Sequence, residues 1–209
     1  MFLQPASNVI ATTARDYPEW HHGRNNFALW YIEIDNIHLI NHLNHLRNLF
    51  SDLLYQPNTR QFHISLFICG FLTDGAKFFD DDFEQKQLQQ QRFKLQNSAL
   101  TSFKLKIKQV NSFSSALFVE VEDPSGSLNK IREILIEDAN EIAALNYCPH
   151  ITLGLYHSDT ESDVVLKRIE QVENINFSVE INEIIFGTYQ ANTLQGPLFP
   201  KDHIQLGVA

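Results

Sequence analysis

Apolar and polar positions change period several times along this chain, and each change marks an element. Trp30-Tyr31-Ile32-Glu33-Ile34-Asp35 has apolar residues alternating with polar or aromatic ones, which predicts a strand. Asn36 is suited to cap a helix, and Leu39, Leu43, Leu46, Phe50 and Leu53 then recur at helical spacing. His63-Ile64-Ser65-Leu66 returns to the period of a strand. A shorter helix is expected over 81–98 and another strand over 103–110.

The second half repeats this order. Leu117-Phe118-Val119-Glu120-Val121-Glu122 matches the first strand position by position at an offset of 87 residues, and His150-Ile151-Thr152-Leu153 matches His63-Ile64-Ser65-Leu66 at the same offset. Two blocks sharing one offset indicate an internal duplication. Between them, Asp123-Pro124-Ser125 punctuates the chain, and Leu128, Ile131, Leu135, Ile142 and Leu145 predict a second long helix. A helix over 160–173 and a strand over 177–186 complete the pattern. The prediction is an α+β fold, a single domain spanning 1–209 with repeat units at about 27–110 and 115–188. The motif strands of the two halves are expected to face each other across a pseudo-two-fold axis.

Composition narrows the class. A chain of 209 residues, 44% hydrophobic and 20% charged, has the make-up of a soluble globular protein. No stretch approaches the ~18 apolar residues of a membrane span, and Met1-Phe2-Leu3-Gln4-Pro5 lacks a basic leader, so a cytoplasmic protein with no membrane partner is expected. Cys69 and Cys148 are expected to be reduced thiols. Acidic residues outnumber basic ones by 25 to 16, a net charge of −9, which argues against a grip on extended duplex nucleic acid. Any nucleic-acid contact should be local, with an end or a small nucleotide.

Candidate chemistry lies in the duplicated motif. In a strand, residues i and i+2 share a face about 6.5–7 Å apart. His63 and Ser65 therefore point one way and Ile64 and Leu66 the other; His150 and Thr152 do the same, backed by Ile151 and Leu153. If the halves meet face to face, two imidazoles and two hydroxyls converge. One neutral imidazole can take a proton from an attacking water, and one protonated imidazole can give a proton to a leaving oxygen. The hydroxyls can hold non-bridging phosphate oxygens. This donor set does not make a hard-ligand shell, so neither a metal nor any other cofactor is expected.

The duplicated His-x-Ser/Thr-aliphatic motif resembles the signature of the 2H phosphoesterases, which include bacterial 2′-5′ RNA ligases and RNA 2′,3′-cyclic phosphodiesterases. The resemblance covers roughly 20–198. It includes Trp20-His21-His22-Gly23-Arg24, Cys69-Gly70-Phe71, Pro149-His150-Ile151-Thr152-Leu153-Gly154-Leu155-Tyr156 and Gly196-Pro197-Leu198. It implies two pseudo-two-fold-related lobes of antiparallel sheet with outer helices around a central cleft. It also implies His63 and His150 as acid and base, with Ser65 and Thr152 as phosphate ligands. The chain departs from many ligase-like members in having Gly154-Leu155-Tyr156 where they carry an arginine. The partner expected is an RNA end or small nucleotide bearing a cyclic phosphate or a 2′-5′ linkage, met by a monomer. The alternative is a module that binds such a ligand in the same cleft without turnover. A serine hydrolase built on Ser65 lacks the nucleophile-elbow glycines.

Other residues have two readings each. Tyr156 shares strand parity with His150 and Thr152 and is a candidate to bind substrate, or an ordinary strand tyrosine; Phe67 stands likewise, with core packing favoured. Trp20 and Arg24 could hold a nucleotide or merely anchor a loop. His38, His42 and His45 have a metal-compatible spacing but no further ligands, so a solvated helix face is the better account. Glu33 and Glu120 occupy equivalent positions and either orient the histidines or are simply exposed.

Overall fold

The computed structural model describes residues 2–142, 144, 146–173 and 176–208. After a single helical turn, α1 (Pro18–His21), the first repeat runs β1 (Asn26–Glu33), α2 (Ile37–Leu49), β2 (His63–Thr73), β3 (Asp82–Glu84), α3 (Gln85–Gln96) and β4 (Phe103–Ser112). The second runs β5 (Ala116–Glu122), α4 (Ser127–Ile136), β6 (His150–Leu155), α5 (Ser162–Glu170), β7 (Phe177–Ile181) and β8 (Glu183–Gln190), followed by β9 (Phe199–Gln205). The molecule is α+β. Its two sheets are antiparallel apart from the short β2–β3 pairing, with strand orders β3-β2-β1-β8-β9 and β6-β5-β4-β7.

Local signals explain most boundaries. The Asn36 side chain accepts from the Leu39 N–H at 3.0 Å, and Leu39, Leu43 and Leu46 are buried from α2. The predicted 81–98 helix starts late because the Asp82 carboxylate accepts from the Phe78 and Phe79 N–H groups and anchors β3 beside β2. Gln87 then accepts from the Glu84 N–H at 3.1 Å and opens α3. Gly70 is required where it stands: its φ of 109° is left-handed, and a Cβ would collide with the Asp81 carbonyl.

Three expectations are corrected. The second long helix ends at Ile136, so Ile142 is not on it, and Leu145 lies outside the described residues. The chain turns there to bring Glu141 back to Arg132, a 2.7 Å ion pair largely shielded from solvent. The strand expected over 177–186 is broken at Asn182, and its halves join different sheets. Each repeat does not build its own lobe: β4 of the first pairs with β5, and β8 of the second pairs with β1.

The two-fold relation is exact in places. The Tyr55 N–H donates to the Leu155 carbonyl at 2.7 Å, and 87 residues on, the Ile142 N–H donates to the Ile68 carbonyl at 3.0 Å. The segment after each long helix thus bonds to the motif strand of the other repeat. That clasp sets β2 against β6 over one continuous core, with a small satellite of Leu29, Tyr31, Ile185 and Leu198.

Candidate functional site

Alternation along β2 and β6 sorts the motif residues as expected. Ile64, Leu66, Ile151 and Leu153 are fully buried, while His63, Ser65, His150 and Thr152 are partly exposed. Cross-strand partners are also equivalent: His63 lies opposite Glu33 and Ser65 opposite Tyr31, as His150 lies opposite Glu120 and Thr152 opposite Phe118.

Both imidazoles are held in the same way. His63 Nδ1 lies 2.8 Å from the Gln61 carbonyl oxygen and His150 Nδ1 lies 2.7 Å from that of Cys148. A carbonyl can only accept, so each Nδ1 carries the proton and each Nε2 of the neutral ring is left as a base. Carbonyls, not Glu33 or Glu120, orient the rings; Glu120 accepts from Asn111 instead. His63 packs edge-on against Tyr31, and His150 edge-on against Phe113 and Phe118. Burial pushes the His63 pKa down to about 4, with the charges of Arg60 and His150 acting in the same direction against the bond to Gln61. Burial also lowers His150. Both rings are therefore neutral at pH 7. The Ser65 and Thr152 hydroxyls make no internal hydrogen bond among the described residues.

A cleft of about 380 Å³ opens beside the motifs. His63, Ser65 and Thr152 line it, and so does Trp20, which rests on Phe27 and Phe71; His150 does not line this cavity. Its nearness to His63 shows instead in the packing of β6 on β2 and in the electrostatic effect of His150 on His63.

Tyr156 is a correction. It is fully buried, and its hydroxyl bonds to Ser112 Oγ at 2.6 Å. Strict alternation would have turned it into the cleft, but Leu153 is an extra residue in β6: Phe118 pairs with Thr152 and Leu117 with Gly154. The bulge inverts the parity, so Leu155 lines the cleft and Tyr156 enters the core. Leu66 is the equivalent bulge in β2, and it buries Phe67. Arg24 is the second correction. It lies 2.6 Å from both Asp81 and Asp82 and stacks over Phe71 and Phe79, so its charge is spent on anchoring a loop.

His42 and His45 lie on one side of α2, where burial lowers His42. No cluster of His, Cys, Asp and Glu fit to hold a metal occurs among the described residues. Cys69 is a core residue whose thiol pKa burial raises, and Cys148 is shifted the same way.

Arg47 and Arg60 are cleft residues that sequence reasoning missed. Arg47 Nε donates to the Leu153 carbonyl at 2.8 Å, and its guanidinium stacks on Phe62. Arg60 Nε donates to the Gly196 carbonyl at 2.8 Å and stacks on Tyr189. Burial lowers the pKa of both. Neither belongs to the motif, and no periodicity distinguishes them from surface arginines.

A duplicated α+β molecule with one anchored histidine and one hydroxyl on each of two adjoining strands defines a two-histidine class of protein. The family model of the 2′-5′ RNA ligase superfamily matches residues 35–193, and the chain belongs to that family, within the 2H phosphoesterases. Solved structures share the fold. The Escherichia coli LigT structure with 3′-AMP aligns at a TM-score of 0.62 and 14% identity, covering 88% of this chain and 99% of that one. TT0787 of Thermus thermophilus aligns at 0.60 and 11% identity, covering 87% and 98%. No curated protein sequence matches the chain. Among the described residues no helix is long and apolar enough to cross a membrane.

Proposed function

We propose that the protein hydrolyses 2′,3′-cyclic phosphates of RNA ends or small nucleotides by two-histidine acid–base catalysis. The observation that carries this reading is the equivalent anchoring of His63 and His150 through Nδ1. It leaves two Nε2 atoms as proton carriers beside the unoccupied hydroxyls of Ser65 and Thr152. Water attacks phosphorus as one imidazole takes its proton. The bond from phosphorus to one ribose oxygen breaks, and the other histidine, as imidazolium, protonates that oxygen. Ser65 and Thr152 donate to the non-bridging oxygens.

Substrate shifts this protonation balance. A bound phosphate anion favours the imidazolium form and recharges one ring. Burial and the charge of Arg60 hold His63 neutral, the form a base requires, and the bond that breaks decides which histidine is base and which is acid. The reverse reaction would join ends through a 2′-5′ linkage. Structures of LigT with 3′-AMP and with phosphate accord with a ligand of this kind.

The test is a panel of nucleoside 2′,3′-cyclic phosphates and cyclic-phosphate-ended oligonucleotides, assayed with His63→Ala and His150→Ala alongside. Turnover should persist in EDTA, follow a bell-shaped pH profile and fall at least a hundredfold in each variant. Binding without turnover across the panel would leave a nucleotide-binding module in place of an enzyme.

A further inference from the structure

The chain has seven arginines, and five of them, Arg15, Arg24, Arg92, Arg132 and Arg168, contact a carboxylate within 3.0 Å. Arg47 and Arg60 are the two that do not, among the described residues, and both lie in the cleft. The folded frame makes this asymmetry pointed. Arg132 on α4 donates to the Leu66 carbonyl at the β2 bulge, and Arg47 on α2 donates to the Leu153 carbonyl at the β6 bulge. Each holds the bulge carbonyl of the other repeat's motif strand, although the two arginines stand 85 residues apart and are not repeat equivalents. Arg132 is neutralised by Glu141, while Arg47 makes no ion pair among the described residues.

In a protein of net charge −9, no carboxylate lines this cleft among the described residues. Arg47 and Arg60 each donate to a backbone carbonyl through Nε, and Arg60 also meets the Tyr189 hydroxyl, so terminal nitrogens remain to meet phosphate oxygens. Half-buried cations without counter-ions are costly, and a ligand anion offsets that cost. The charge count then specifies the ligand. A cyclic phosphodiester carries one negative charge, which cannot balance the catalytic imidazolium and both guanidiniums.

We propose that Arg47 and Arg60 form a second anion subsite for another phosphate of the same substrate. The preferred substrates are then nucleotides or RNA ends carrying at least two phosphates. This inference rests on the phosphodiesterase reading for its kinetic test but not for its binding test.

Three substrates separate the sources of the second phosphate: a nucleoside 2′,3′-cyclic phosphate, its 5′-phosphorylated form, and a dinucleotide ending in a 2′,3′-cyclic phosphate. KM should fall about tenfold or more for one or both of the two-phosphate forms, the scale of a charge-assisted phosphate contact. A gain with the 5′-phosphate assigns the subsite to a terminal phosphate, and a gain with the dinucleotide alone assigns it to an internucleotide one. Arg47→Gln, Arg60→Gln and the milder Arg60→Lys should raise KM for the two-phosphate forms by a larger factor than for the one-phosphate form. Equal losses on all three would mean that the arginines serve the reacting phosphate, and would overturn the proposal.

Calorimetric binding of adenosine 3′-phosphate and adenosine 3′,5′-bisphosphate to the wild-type protein needs neither turnover nor a mutant. The bisphosphate should bind more tightly, with an affinity that falls more steeply as salt rises. Equal affinities and slopes would overturn the subsite while leaving the catalytic reading intact. A bisphosphate preference without hydrolysis of any cyclic phosphate would support the subsite and sink the phosphodiesterase.

Discussion

Holding His63 neutral should leave a signature in folding stability that can be measured without any substrate. An unfolded histidine titrates near 6.5, whereas burial and the neighbouring Arg60 push His63 down to about 4 in the folded protein. Between these values the unfolded chain binds a proton that the folded chain refuses. Stability is therefore fully present above pH 6.5 and is lost as pH falls toward 4. At about 1.4 kcal/mol per unit the full effect is roughly 3 kcal/mol, and solvent screening at the cleft mouth reduces it to roughly 1–2 kcal/mol. His63→Gln removes the titration. Urea denaturation of both proteins at pH 7.5, 6.5, 5.5 and 4.5 isolates it, because carboxylates and the other histidines cancel in the difference. The wild type should lose more stability than the variant by that amount between pH 6.5 and 4.5. Added inorganic phosphate should shrink the difference by favouring the imidazolium. Parallel stability curves would refute the claim that burial and Arg60 hold this ring neutral.

Thr152→Val should lower kcat on a cyclic phosphate by about 10²-fold with little change in stability, since in the proposed mechanism the hydroxyl donates to substrate and it bonds to no protein group among the described residues. Steady-state kinetics and a thermal melt check it together. Tyr156→Phe should cost about 1 kcal/mol of stability and leave kinetics intact, because it deletes a buried hydrogen bond while Ser112 keeps its bond to the Phe113 carbonyl. A changed KM would return Tyr156 to the cleft. Arg132→Met should destabilise by about 3 kcal/mol in chemical denaturation by stranding Glu141 against β2, and the double variant with Glu141→Met should recover much of the loss.

Most of the architecture was legible because its signals are local. Side-chain periods of 2 and 3.6 mark strands and helices within a few residues. The shared offset of 87 residues tied two motifs far apart in sequence to equivalent places in one fold. The Asn36 cap and the faces of His63, Ser65, His150 and Thr152 needed nothing beyond their own segments. Where the reading failed, a second segment was involved. Helix α4 stops at Ile136 in part because Glu141 must return to Arg132, a contact that the apolar stripe does not announce.

The sequence by itself determined that this protein is a duplication presenting an imidazole and a hydroxyl from each half. Only the tertiary structure decided that β4 and β8 change sheets, that bulges at Leu66 and Leu153 bury Phe67 and Tyr156, and that two of seven arginines lack a counter-ion in the cleft. A bulge is a mismatch between two strands, and an unpaired charge is defined by what is missing beside it. Neither is a property of one segment, so neither can be read until the chain has brought its partners together.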